Sequence, residues 1–189
     1  MRSFSDIVEE HQQVLKASLA TFEKSFEAAA ALCVEALQCR RKILICGNGG
    51  SAADAQHFAA ELVGRFERER TAFPAVALTT DTSILTALAN DYGYQQSFAR
   101  QVEAIGNKGD VLIAISTSGN SENVLLAAKA AGRIGMKRIG LTGKCAGDLG
   151  KLADILFPVS SGRTARIQEV HILCLHALAE AIENQMESA

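Results

Sequence analysis

Tryptophan is absent from these 189 residues, and Phe and Tyr bring the aromatic share to only 5 %. A platform of stacked rings for a sugar or a base is therefore not on offer. No apolar run approaches the ~20 residues that a bilayer crossing requires. The opening stretch, MRSFSDIVEEHQQ, carries acids where a secretory leader carries its apolar segment, so export is not expected. An excess of basic residues is missing too: 19 Lys and Arg face 21 Asp and Glu, for a formal charge of −2. Such a chain has no field to draw in a phosphate backbone, which argues against nucleic acid as its ligand. Its five cysteines, Cys33, Cys39, Cys46, Cys145 and Cys174, are odd in number and contain no CxxC pair. They read as reduced thiols of a cytoplasmic protein. What is present is a 48 % hydrophobic and 21 % charged composition, which excludes wholesale disorder, and a length suited to one domain. The expectation is a cytoplasmic globular domain acting on something small and polar, with neither nucleic acid nor membrane as partner.

The first forty residues predict a long helix. Phe4, Ile7, Val8, Val14, Leu15, Leu19, Phe22, Phe26, Ala29, Cys33 and Leu37 recur at spacings of three and four, and neither Pro nor Gly interrupts residues 1–46. At ~1.5 Å per residue this helix is about 50 Å long, far more than the ~16 Å radius of gyration of a compact domain of this size. It either overhangs its own domain and packs on another copy or breaks into two helices at a bend. From Lys42 onward the pattern changes to short, fully apolar runs: KILIC (42–46), AVALT (75–79), VLIAIS (111–116), RIGLT (138–142) and DILFPV (154–159). Uninterrupted rather than alternating apolarity is the mark of strands buried on both faces of a parallel sheet. Helical stretches at 51–65, 82–90, 93–105, 121–134 and 164–186 lie between and after them. The expected fold is α/β, a doubly wound five-stranded parallel sheet flanked by helices with a long N-terminal helix. Residues 1–189 form one domain in this reading, with 1–40 an extension used in oligomerisation and 41–189 the α/β core.

In such sheets ligands bind beyond the carboxyl ends of the strands, and two turns there are unusual. Gly47-Asn48-Gly49-Gly50-Ser51 follows KILIC and opens a helix. Its glycines admit close backbone approach, and Ser51 is placed to cap the helix, whose N-terminus attracts an anion. Ser116-Thr117-Ser118-Gly119-Asn120-Ser121 follows VLIAI with four hydroxyls, an Asn and a Gly in six residues. These are neutral donors suited to a phosphate monoester. The loop is not a P-loop, since no GK[ST] lysine is present, and neither turn matches a dinucleotide fingerprint.

His57 and Glu61 lie four apart on the helix leaving the first loop, a spacing that suits either an exposed ion pair or the clasp of a divalent ion. Asp54 and Gln56 flank them. The C-terminal helix, RIQEVHILCLHALAEAI, places Gln168, Glu169, His171 and His176 on an otherwise apolar segment, where polar groups require partners. Gln168 and His176 are about 12 Å apart along the axis and about 80° around it. One ion reaching both, or ligands drawn from two copies of the chain, both fit this spacing. Asn90 and Asp91 close a later turn, Asp81 suits a helix N-cap, and RFERER (65–70) reads as a solvated face.

With these residues in place the chain resembles the SIS (sugar isomerase) phosphosugar-binding domains and, among them, the phosphoheptose isomerase family. The resemblance runs through CGNGGSAADAQHFAAEL, ANDYGY, GDVLIAISTSGNSENV, RIGLTG and TARIQEVHILCLHAL, together with the long N-terminal helix. STSGNS alone marks the superfamily; HFAAEL with RIQEVH and a later His is far more specific. The resemblance implies an aldose–ketose isomerase in a homotetramer with sites between subunits, converting sedoheptulose 7-phosphate into D-glycero-D-manno-heptose 7-phosphate. It implies substrate contacts from Asn48, Gly49, Gly50, Ser51, Glu61, Asn90, Asp91 and Gln168, and a phosphate grip by Ser116, Thr117, Ser118 and Ser121. One zinc ion per subunit on His57, Glu61, Gln168 and His176, and an acid/base pair of Glu61 and His176, are implied as well. Ala165 stands where some members have Asp, so any role of that Asp does not carry over. A neighbouring branch, regulators that bind the replication initiator protein, shares fold and loops. It lacks the Glu of HFAAEL and the late His, which this chain keeps as Glu61 and His176. A third alternative, a SIS isomerase or sensor for a hexose or pentose phosphate, would be expected to carry further domains.

Overall fold

The structure, a computed structural model, describes residues 2–187. Helix α1 runs unbroken from Phe4 to Gln38. A capping box starts it: the Ser3 hydroxyl accepts from the Asp6 N–H at 3.1 Å, and the Asp6 carboxylate accepts from the Ser3 N–H at 2.7 Å. It ends where Arg40 takes a left-handed φ of 54° and Arg41 N–H returns to the Ala36 carbonyl at 2.8 Å. Of the two expectations for this segment, the single long helix is the one formed.

The remaining elements are β1 (Ile43–Cys46), α2 (Gly50–Val63), β2 (Ala75–Ala77), α3 (Thr82–Tyr92), a 3-10 turn (Tyr94–Gln96), α4 (Ala99–Ile105), β3 (Val111–Ser116), α5 (Glu122–Ile134), β4 (Lys137–Thr142), α6 (Leu149–Leu152), β5 (Ile155–Pro158) and α7 (Thr164–Glu187). All five strands are parallel, in the order β2-β1-β3-β4-β5. Each predicted run became a strand. The stretch 93–105 did not become one helix: Gly93 at φ 82° starts a 3-10 turn, and α4 follows only from Ala99. The short α6 was not foreseen.

Strand side chains divide by parity. Ile43, Ile45, Val111, Ile113 and Ile115 face one core with Phe22, Cys33, Phe58, Leu62, Val170 and Leu178, from α1, α2 and α7. Leu44, Cys46, Leu112 and Ala114 face the other, with Phe98, Val102, Val124, Ala127 and Leu149 from the opposite helices. Both faces are buried, which is why the strands read as continuous apolar runs. The order places β1 beside β3 while their connections leave in opposite directions. The crevice at their carboxyl ends is the switch point where such sheets take ligands, and the glycine loop and the hydroxyl loop are the two segments that border it.

RFERER is a solvated face, as expected, at Arg65, Glu67, Arg68 and Glu69, whose side chains are exposed, but its backbone and Arg70 turn inward. The N–H groups of Phe66, Glu67 and Arg68 donate to the Glu183 carboxylate of α7 at 3.2, 2.9 and 3.0 Å, and Arg70 Nε donates to it at 3.0 Å. Glu183 is only 2 % exposed. Arg70 also donates to the carbonyls of Glu61 (2.7 Å) and Leu62 (2.9 Å), filling acceptors that the end of α2 leaves open. Burial pushes the Glu183 carboxyl up, but three backbone donors and Arg70 outweigh it and hold the group below its ordinary value of 4.5. A carboxylate held down in the folded state stabilises the fold above that ordinary value. The contribution is lost as pH falls through the lowered one. Glu183→Gln, which leaves Arg70 buried without its counter-charge, is therefore expected to cost about 3 kcal/mol at pH 7. Urea denaturation should show the gap from the parent protein narrowing as pH drops below 4.5; a gap independent of pH would contradict the ionised lock.

Candidate active site

The sheet's carboxyl end gathers three polar groups. In the first, the glycine loop, Gly49 takes φ 56° and is itself the N-cap of α2, with no side-chain cap bond. The expected Ser51 cap is thus corrected: α2 begins one residue earlier, and Ser51 is buried within its first turn. Gly50 leaves room for a side chain from α7. A Cβ there would collide with the Gln168 amide, which α7 lays directly over the start of α2. Gln168 and the loop are in this way brought together.

The second group is the hydroxyl loop. A Gly119 N–H to Ser116 carbonyl bond of 2.9 Å folds it back, with Gly119 at φ 69°. Three hydroxyls converge: Ser116 Oγ lies 3.0 Å from Ser121 Oγ and 3.4 Å from Ser118 Oγ. Ser121 is the N-cap of α5, so the helix's free N–H groups point the same way. Thr117 lies in the same turn, and its carbonyl accepts from the Gly143 N–H at 3.0 Å. The turn is braced further by the segment after β4, where Gly119 O accepts from Leu149 N–H and Asn120 Oδ1 from Asp148 N–H, both at 3.0 Å. A hydroxyl cradle fixed in this way has the form of an oxyanion site.

The third group is His57, Glu61 and His176, whose ligand-type atoms lie within 4.8 Å of one another. His57 Nε2 stands 2.9 Å from Glu61 Oε1 and 3.4 Å from His176 Nε2. The imidazole rings meet edge-on at 4.8 Å, and Phe66 covers His176 at 5.9 Å. His176 thus meets His57 and Glu61 within one chain. Two imidazole nitrogens and a carboxylate oxygen converging without intervening cations are a donor set suited to zinc. One turn earlier on α2, burial lifts the Asp54 carboxyl to about 6 against the pull of His57, and its Oδ2 is buried with no hydrogen-bond partner among the described residues.

Asn90 and Asp91 lie at the exposed end of α3 and bond to each other at 2.8 Å. Asp81 is the N-cap of α3, its carboxylate accepting from Ile84 N–H at 2.9 Å. Of the histidines on α7, His171 is a buried core residue whose Nε2 donates to the Thr142 carbonyl at 3.1 Å, while His176 reaches the cluster. Three residues at the site were not singled out from sequence. Phe66 was hidden within a run of charges. Tyr94 bonds to Asn48 at 3.2 Å from a turn outside both loops. Asn123 pairs with Asn48 at 2.9 Å; its one legible sign is a polar side chain four residues before buried Ala127, on the inward stripe of α5.

Comparison with known proteins agrees with this architecture. The SIS domain family model matches residues 7–143. A phosphoheptose isomerase of Aliarcobacter butzleri (strain RM4018) is 54 % identical over 176 residues, 93 % of each chain. One from Helicobacter pylori (strain P12) is 55 % identical over 173 residues, 92 % of this chain and 90 % of that one. The solved phosphoheptose isomerase of Neisseria gonorrhoeae superposes with a TM-score of 0.91 at 46 % identity, covering 95 % of this chain and 96 % of that one. This chain belongs to the SIS-domain family and, within it, to the phosphoheptose isomerases.

Proposed function

We propose that this protein converts D-sedoheptulose 7-phosphate into D-glycero-D-manno-heptose 7-phosphate through an enediol, the first step of bacterial ADP- and GDP-heptose synthesis, in the cytoplasm. The observation that carries this reading is the convergence of Glu61 and His176 beside a hydroxyl cradle, in a chain of the phosphoheptose isomerase family. Those two residues are also the pair that the non-catalytic regulators of the superfamily lack.

The hydroxyls of Ser116, Ser118 and Ser121, with Thr117 and the N-terminus of α5, hold the phosphate. The substrate chain then runs along Asn48, Gly49, Gly50 and Ser51 toward the cluster, with Gln168, Asn90 and Asp91 at its sides. Ketose-to-aldose conversion removes a proton from C1 and delivers one to C2, while a second proton moves between the two oxygens. Glu61 is the carboxylate that carries the carbon-bound proton, and His176 serves the oxygens. His57, Glu61, Gln168 and His176 would hold zinc, which when bound supplies Lewis-acid polarisation of the carbonyl. Phe66 over His176 limits water on that side.

A homotetramer with sites between subunits completes this reading. Helix α3 has no fully buried residue although it carries Ile84, Leu85 and Leu88, of which Leu85 is half-buried against the second core, and Asn90 and Asp91 lie at its exposed end. Between α1 and α7 runs a 330 Å³ groove lined mainly by Leu15, Leu19, Phe22, Phe26 and Leu173, with Glu23 its charged member, a surface suited to burial against other copies. Residues 1–40 then supply assembly contacts in addition to their part in the core.

Proton NMR of the purified protein with sedoheptulose 7-phosphate is expected to show an aldose signal. Glu61→Gln and His176→Asn should each lower kcat by about 10²–10⁴-fold, with inorganic phosphate binding retained. Near-parental turnover in either variant would remove that residue from the acid/base pair. A chelator should abolish turnover and added zinc restore it; indifference to chelation removes only the metal. Sedimentation should give a tetramer, and Leu19→Glu with Leu173→Glu should dissociate it and reduce activity. A monomeric parent protein would overturn the shared-site reading.

A further inference from the structure

The hydrogen bonds around Asn48 leave it a single group for a ligand, and two residues outside the expected site impose that restriction. The backbone N–H of Val124 donates to Asn123 Oδ1 at 3.0 Å, which fixes which side of the Asn123 amide is oxygen. Asn123 then pairs with Asn48 in a reciprocal ring. Asn48 Nδ2 donates to Asn123 Oδ1, and Asn123 Nδ2 donates to Asn48 Oδ1, both at 2.9 Å. The Tyr94 hydroxyl donates to the same Asn48 Oδ1 at 3.2 Å. An amide oxygen accepts through two lone pairs and an amide nitrogen donates through two protons. Among the described residues both acceptor positions of Asn48 are therefore filled, one N–H is used, and one N–H is left.

We propose that Asn123 and Tyr94 are positioning residues that lock the Asn48 amide so that it offers the sugar an N–H donor only, and so selects a carbonyl or enediolate oxygen. The identity of that oxygen rests on the isomerase reading above. Asn123 is 4 % exposed and acts through Asn48 rather than on the sugar. It lies two residues beyond Ser121, in the first turn of α5, so the element that holds the phosphate also sets the amide of the glycine loop. Tyr94, 51 % exposed, lies three residues after Asp91 and ties the end of α3 to the same atom. An unlocked amide can turn over and present its oxygen to a developing oxyanion, replacing attraction by repulsion where electrostatic complementarity matters most.

The test is a double-mutant cycle on kcat and KM for sedoheptulose 7-phosphate, with Asn48→Ala, Asn123→Ala and Tyr94→Phe alone and each of the last two combined with Asn48→Ala. Asn123→Ala is expected to lower kcat/KM about tenfold or more and Tyr94→Phe about threefold, chiefly through kcat. Added to Asn48→Ala, either should cost less than about twofold more, because the group they orient is already gone. Losses that simply multiply overturn the proposal, since residues that only support the fold would act whether or not Asn48 is present. Asn123→Asp guards against misfolding: it still accepts from Asn48 and from Val124 N–H but sets an oxygen against Asn48 Oδ1. It should match the kcat loss of Asn123→Ala while inorganic phosphate binding, which reports the folded site, is retained, and retained kcat overturns the lock. If the parent protein does not turn over the sugar, the isomerase reading fails separately. The same cycle is then read as Kd for sedoheptulose 7-phosphate against inorganic phosphate. Coupling through Asn48 supports the lock, additivity overturns it, and sugar phosphate bound no better than phosphate overturns it as well.

Discussion

Helix α7 carries Gln168, His171 and His176 on successive turns, and the geometry at the strand ends depends on how firmly that helix is tied to α2. The tie is one buried carboxylate. Glu183 receives three backbone N–H groups and the Arg70 guanidinium, and Arg70 passes on to the last carbonyls of α2, that of Glu61 included. A charge removed from water is tolerated only with such a set of partners. Here the partners do more than compensate burial, because the segment they draw in, 66–68, also sets Phe66 against His176. Glu61 and His176 belong to helices far apart in the chain, and this ion pair fixes the register between them.

The hydroxyl loop, the proposed phosphate end of the site, is built on a different principle. In that reading a chain of net charge −2 would meet a phosphate dianion without a P-loop lysine in its loop. It relies on hydroxyls, backbone N–H groups and a helix terminus, all neutral and all held before the ligand arrives. The holding is visible in the close meeting of two turns. A Cβ at Gly119 would strike the Ala146 carbonyl, and Ala146 itself sits at φ 52°. Non-glycine residues adopt that conformation at a cost. The bonds from Gly143, Asp148 and Leu149 into the hydroxyl loop offset it.

Much of this was legible in the residues. Strands buried on both faces must be apolar at every position, so ILIC and VLIAIS announced themselves, and the loops after them announced the crevice. His57 and Glu61 could be read because helix spacing places them on one face. Relations set by tertiary structure alone were hidden. Glu183 lies in a helix otherwise read as apolar, and its partners come from RFERER, whose composition is that of a solvent-facing run. Asn123 and Tyr94 touch Asn48 from 75 and 46 residues away, and no local pattern links them. The break between the 3-10 turn and α4 follows from Gly93 at φ 82°, a signal overridden in sequence by the apolar periodicity around it.

The two histidines of α7 show how environment divides one residue type between two roles. His171 and His176 are five residues apart on one helix, so they point to different surroundings. His171 is fully buried, and burial lowers its pKa to about 4 despite its bond to the Thr142 carbonyl. It stays neutral across physiological pH and donates one hydrogen bond to the end of β4, pinning α7 to the strand from which the brace of the phosphate loop departs. His176 instead faces His57 and Glu61 at the edge of solvent. Burial keeps the neutral pin distinct from the imidazole of the cluster, so that one helix both anchors the sheet's end and lines the candidate site.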